Sequence, residues 1–202
     1  VISKVPQLPL GNYLDQSLTD FIHVLSQIPT SCKTDLEVAV ATLTKSCKNG
    51  GRILICGNGG SAADSQHFAG ELVATFRRGL ERPGISALAL SNDIATLTAL
   101  ANDFSYEDVY SRQVEAHGRK GDCLICISTS GNSENVLRAA SRAKSLDLNV
   151  ISITGNMGAR LSQASDISII VPSSDTQVIQ NTYQFLLHII CYGIEESMFA
   201  DA

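Results

Sequence analysis

His67 and Glu71 stand four residues apart in a stretch of helical character, so the two side chains share one face and can reach a common point. An imidazole and a carboxylate so placed can ligate one metal ion or work as an acid–base pair. Chance pairs on surface helices have the same spacing. Gln180 and His188 lie eight residues apart in a later helical stretch, which separates them by roughly 12 Å along its axis. His188 sits among Phe185, Leu186, Leu187, Ile189 and Ile190, where a polar ring needs a partner, in a site or in a core. If both serve one small site from one chain, the helix must be irregular between them. Otherwise the two come from different subunits.

Two short loops carry a different chemistry. Cys56-Gly-Asn-Gly-Gly-Ser-Ala-Ala-Asp64 joins an apolar run to a helical one, and its glycines allow close backbone approach and leave N–H groups free. It lacks the last glycine of the dinucleotide fingerprint and has no Walker lysine. Ser128-Thr-Ser-Gly-Asn-Ser133 stands at a second such junction. Four hydroxyls with backbone N–H donors near a helix N-terminus can hold a phosphate without a cation, whereas capping the helix would need only one of them.

The other polar candidates are plainer. Arg77, Arg78 and Arg82 follow the His67 helix and could anchor a phosphate or simply be solvated. His23 and His117 read as surface or interface residues. Cys123 and Cys126 have the spacing of a redox pair, but they fall in an apolar run where a buried strand is expected, and a redox pair of that spacing opens a helix.

Five apolar segments read as strands: 52–56, 85–90, 122–127, 149–154 and 167–171. Helical patterns fill the gaps, at 61–74, 94–101, 109–116, 132–146 and 160–164. The alternation predicts a parallel sheet with helices on both faces, and such sheets bind ligands at the carboxyl ends of their strands. Two helices precede the first strand, at about 14–27 and 35–49, parted by Pro29-Thr-Ser and closed by Asn49-Gly-Gly51. A long helix at about 176–198 closes the chain, with more apolar residues than one face needs, which predicts burial against several partners, another subunit among them.

The chain has 202 residues, fifteen Lys+Arg against twenty Asp+Glu and 44% hydrophobic residues. That composition excludes disorder, and the net charge of −5 excludes a footprint for non-specific nucleic-acid binding. No run is long enough to cross a bilayer, and Val1-Ile-Ser-Lys-Val-Pro-Gln7 does not read as a secretory signal. Without an initiator Met, the numbering can begin inside a longer chain. Six scattered cysteines suit reduced thiols in a cytosol.

Taken together, Gly57-Asn-Gly-Gly-Ser61, Gln66-His-Phe-Ala-Gly-Glu71, Asn102-Asp-Phe104 and Ser128-Thr-Ser-Gly-Asn-Ser133 resemble the sugar isomerase (SIS) domain, and more narrowly the phosphoheptose isomerases. The resemblance spans nearly the whole chain. It implies a single α/β SIS domain over 1–202: a five-stranded, flavodoxin-like parallel sheet with two N-terminal helices and a long C-terminal helix, residues 1–50 serving oligomerisation. The family converts sedoheptulose 7-phosphate into a glycero-manno-heptose 7-phosphate through an enediol, for activated heptose and lipopolysaccharide or other surface glycans. It is homotetrameric, cytoplasmic and often zinc-bound, with active sites between subunits.

Carried over residue by residue, the resemblance makes His67, Glu71, Gln180 and His188 the ligands of one Zn2+ per subunit, with Glu71 the catalytic base and His188 the acid. Substrate contacts would come from Asn58, Gly59, Gly60, Ser61, Glu71, Asn102, Asp103 and Gln180. Ser128, Thr129, Ser130 and Ser133 would hold the phosphate. The implied chemistry needs a base for the carbon-bound proton and an acid for the oxygens, with an ion to stabilise the enediolate.

The chain departs from the family around Gln180, where Val178-Ile-Gln-Asn181 replaces an Arg and a Glu, and Tyr183 stands where a His is usual. Two other readings remain open. One is a replication-initiator-associating protein that binds DnaA, a branch that has an amide in place of His188. The other is a phosphosugar sensor that binds without turnover.

Overall fold

The computed structural model describes residues 9–156 and 158–200, so the reading of the first seven residues lies outside it. Five parallel strands, β1 (Ile53–Gly57), β2 (Ala87–Ala89), β3 (Cys123–Ser128), β4 (Asn149–Gly155) and β5 (Ile167–Val171), form one sheet in the order β2-β1-β3-β4-β5. Ile53 aligns with Ala87 on one side and with Cys123 on the other. β1, β3 and most of β4 are buried on both faces, which is why they read as unbroken apolar runs rather than alternating ones.

Alternate residues of each strand feed two separate cores. Ile53, Ile55, Ile125, Ile127, Ile151 and Ile153 face α1 (Leu10–Ser31), α2 (Lys33–Lys48), α3 (Gly60–Val73) and α8 (Thr176–Phe199). Leu54, Cys56, Leu124, Cys126 and Val150 face the other layer. That layer holds α4 (Ile94–Asp103), α5 (Val109–His117), α6 (Glu134–Ser145) and α7 (Ala159–Ala164). The strand order reverses direction between β1 and β3, so α3 and α6 leave adjacent strand ends towards opposite faces. The gap between them is the crevice where such sheets take ligands.

Several boundaries differ from the sequence reading. Pro29 does not part α1 from α2, because α1 runs through it to Ser31. Its missing N–H takes the helical donor from the Leu25 carbonyl without ending the helix, and the break comes at Cys32 instead. α1 also begins four residues before position 14. β2, at one sheet edge, keeps only three of the six expected residues. A 3-10 turn at Tyr106–Asp108 was not expected. Gly50 closes α2 with φ +77°, as its left-handed cap requires. No helix among the described residues is long and apolar enough to cross a membrane.

Cys123 and Cys126 lie in the middle layer of the sheet, buried and free, as expected of strand residues. Burial pushes the Cys123 thiol up to about 11, opposite to the shift a redox thiol needs.

Candidate active site

α3 and α8 lie side by side and run in the same direction, which pairs their residues rung by rung. Gln180 lies across Gly60, where an added Cβ would come within 2.5 Å of the amide nitrogen Nε2. One turn on, Gln184 Nε2 donates to Asp64 Oδ1 at 3.1 Å. Next, the Nε2 atoms of His67 and His188 face each other at 3.0 Å, the rings meeting edge to face at 67°. Glu71 Oε1 is 3.7 Å from the same His67 nitrogen. Burial pushes the Asp64 carboxyl up, against the Gln184 hydrogen bond and the nearby His67, which pull it down.

One chain thus assembles His67, Glu71 and His188, with the His67 and Glu71 side chains 41% and 26% exposed. It does not bring Gln180 to them. α8 is a continuous α-helix over these residues, so Gln180 stays roughly 12 Å up the helix, beside the β1 loop. The regular helix excludes the irregular α8 that a single-chain site holding both Gln180 and His188 would need.

A zinc ion, which the resemblance implies, finds donors of the right chemistry in two converging imidazole nitrogens beside a carboxylate. The donors match in type but not in spacing: among the described residues no group of three His, Cys, Asp or Glu side chains is placed to hold an ion in the single chain.

At the ends of β1 and β3 the two loops are tied together. Asn58 and Asn135 exchange amide hydrogen bonds of 2.8 and 2.9 Å, and Tyr106 donates its hydroxyl proton to Asn58 Oδ1 at 3.0 Å. Tyr110 donates to the Gly57 carbonyl. Sequence reasoning missed Asn135, Tyr106 and Tyr110. Asn135 stood two residues beyond the serine loop and could have been taken with it, but the two tyrosines come from elements with no motif of their own.

In the serine loop, Ser128 Oγ accepts from Gly131 N at 3.1 Å and lies 3.4 Å from Ser133 Oγ. Gly131 takes φ +61°, and an added Cβ there would come within 2.3 Å of the Gly158 Cα. Ser130 Oγ accepts from Asn132 N. Ser133 is the N-cap of α6 by position, yet its side chain makes no capping bond. Ser133→Ala is therefore expected to leave thermal stability unchanged while raising KM for a phosphorylated substrate about tenfold, since one charge-assisted hydrogen bond is worth roughly 1.5–3 kcal/mol. A fall in melting temperature with unchanged KM would return Ser133 to a capping role.

Asn102 and Asp103 form the last turn of α4 rather than a loop after it. They are exposed and hydrogen-bonded to each other at 2.8 Å. The structure brings neither into the cluster.

Two of the three arginines differ from expectation, while Arg78 is exposed. Arg82 is neither solvated nor available to a phosphate, because its side chain is fully buried against Glu195. Arg77 pairs with Glu195 and Glu196. Tyr183 points into the core with its hydroxyl unpartnered among the described residues, as a packing residue.

The SIS domain family matches residues 17–155. A phosphoheptose isomerase of Helicobacter pylori is 51% identical over 160 residues, 79% of this chain and 82% of the relative. The chain belongs to the phosphoheptose isomerases of the SIS domain family. Two solved phosphoheptose isomerases share the fold over their whole length. That from Neisseria gonorrhoeae superposes with a TM-score of 0.87 at 35% identity, covering 93% of this chain and 100% of its own. That from Francisella tularensis gives 0.90 at 32%, covering 94% and 100%. This chain carries both histidines and the carboxylate on one pair of parallel helices. These relatives do not favour the initiator-binding or sensor readings.

Proposed function

We propose that the chain isomerises sedoheptulose 7-phosphate to a glycero-manno-heptose 7-phosphate, the opening step of activated heptose synthesis in the cytoplasm. The observation that carries this is the contact of His67 with both His188 and Glu71 between α3 and α8, in a fold whose serine loop, at the carboxyl end of β3, suits a phosphate. Kinship with isomerases at 51% identity supports it.

Proton transfer between C1 and C2 through an enediol needs a carboxylate for the carbon-bound proton and an acid for the oxygens. Glu71 is the base in this reading and His188 the acid, with His67 holding the His188 ring in place through the Nε2–Nε2 contact. Ser128, Thr129, Ser130 and Ser133 bind the phosphate, and that remote binding positions the reacting carbons. Asn58, Gly59, Gly60 and Ser61 contribute the wall of the β1 loop, and Asn102 and Asp103 contact the sugar only from α4 of another copy. His67, Glu71 and His188 would hold the zinc, with Gln180 as a further ligand. When bound, it stabilises negative charge on the enediolate oxygens.

The proposed assembly is a homotetramer. Exposed Phe185, Ile189 and Tyr192 on α8, and Leu10, Leu14, Leu18 and Ile22 on α1, leave apolar stripes that a second copy would cover. That copy can bring its Gln180 to this chain's histidines, which a single regular helix cannot do. Glu71 and His188 come from one chain in this arrangement. Mixed oligomers of Glu71→Gln with His188→Gln chains are accordingly expected to stay inactive, because no pairing rebuilds an intact cluster. Recovered activity in verified mixed oligomers would move His188 to the neighbouring subunit's site.

The deciding experiment is NMR of the protein with sedoheptulose 7-phosphate in D2O, with zinc and with a chelator. Appearance of the aldose with solvent deuterium at C2 supports the reading. Substrate-induced shifts without turnover in the presence of zinc would favour a binding protein.

A further inference from the structure

Arg82 and Glu195 form an ion pair in which both side chains are 0% exposed. Arg82 Nε donates to Glu195 Oε1 at 2.8 Å. The rest of the guanidinium turns to α3: Nη2 donates to the carbonyl of Glu71 at 3.0 Å and Nη1 to that of Leu72 at 2.9 Å. Those carbonyls belong to the last turn of α3, where no further helical N–H can reach them. On the other side, Glu195 accepts from the N–H groups of Phe76 and Arg77 at 2.8 and 3.0 Å. Glu195 lies seven residues beyond His188, two turns on and within about 20° of the same face of α8. One buried ion pair therefore ties the turn that carries Glu71 to the helix face that carries His188.

Stability alone does not account for such a pair, because apolar residues of similar volume often serve a core as well or better. A proton-transferring pair has a stricter need. Displacement of a reacting group by about 1 Å can cost a hundredfold in rate. We propose that Arg82 and Glu195 are positioning residues for the proton transfer, fixing the axial register of α3 against α8 and with it the placement of Glu71 against His188. The proposal rests on the reading of Glu71 and His188 as base and acid.

The test compares Arg82→Lys, Glu195→Gln and the paired Arg82→Met/Glu195→Leu with Val114→Ala, a core change in the opposite helical layer. Each is measured for thermal stability, kcat and KM on sedoheptulose 7-phosphate, and for the ring signals of His67 and His188. With four histidines in the chain, 15N-histidine labelling resolves those signals. Expected are a fall in kcat of at least tenfold with KM within about twofold for both single variants, and shifted His67 and His188 signals. The paired variant is expected to regain stability without regaining kcat. Val114→Ala is expected to lose stability and keep both kcat and the ring signals.

Wild-type kcat in folded Glu195→Gln, or its return together with stability in the paired variant, would overturn the proposal. If the unaltered protein does not isomerise the sugar, the functional reading falls on that result. The ring signals then decide the positioning role by themselves, and unchanged signals in folded Glu195→Gln would end it.

Discussion

Glu71→Gln is expected to lower kcat for sedoheptulose 7-phosphate by roughly 10²–10⁴-fold, the span a general base contributes. The amide keeps the volume and planar shape of the carboxylate and loses only its basicity. The Glu71 carboxylate has His67 as its near partner, while the backbone carbonyl held by Arg82 is untouched by the substitution. A partly exposed side chain with one such contact should move stability by about 0.5 kcal/mol or less. Circular dichroism and sedimentation should therefore match the unaltered protein, and solvent deuterium should no longer enter C2. Turnover within a few fold of the original would remove Glu71 from the role of base.

Arg82→Leu is expected to produce the largest loss of stability. Removing Arg82 takes away the fully buried partner of Glu195 and leaves it only Arg77, at 3.3 Å, at a cost of about 3–5 kcal/mol. For a chain of this size each kcal/mol corresponds to about 2–4 °C, so the melting temperature should fall by about 6–20 °C. The sign of its pH dependence follows from Glu195. Burial pushes that carboxyl up, but the N–H groups of Phe76 and Arg77 and the Arg82 guanidinium more than offset burial and hold it below its ordinary value of 4.5. A carboxyl depressed on folding contributes stability that is complete above its unfolded value and lost as pH falls through the folded one. Without the Arg82 guanidinium, burial is opposed only by those two N–H groups and by Arg77, so the variant's Glu195 takes up a proton at higher pH than that of the unaltered protein. The stability gap between the two proteins should thus be widest near pH 7 and narrow below about pH 4.5. Melting temperatures across pH 3–8 check this, and a gap independent of pH would remove Glu195 as its source.

Periodicity carried the sheet well. The five strands fall where the Ile, Leu and Val runs placed them because both faces of each central strand are buried, and length then separates strand from helix. Pro29 misled because a proline removes one helical bond without always ending the helix, and here α1 continues to Ser31. Residues 85–90 were read as a full strand, but only Ala87–Ala89 pair with β1.

In the site, His67 and Glu71 were legible because i, i+4 spacing is a property of one helix. The meeting of His67 with His188 was not, since 121 residues and the parallel packing of two helices lie between them. Arg82 was out of reach for a related reason. Its partner Glu195 lies 113 residues away, and an arginine after a helix carries no local sign of being buried.

The loop from Ser128 to Ser133 contains no Asp, Glu, His, Lys or Arg. Hydroxyls and backbone N–H groups keep their protons from pH 5 to 9, so a phosphate held there meets a host whose charge state does not change over that range. The second ionisation of a phosphomonoester, near pH 6, is then the only titration at that end of the complex. Any bend in KM above pH 7 would have to come from the sugar end, so a pH profile of KM and kcat can separate anchorage from chemistry without altering a residue.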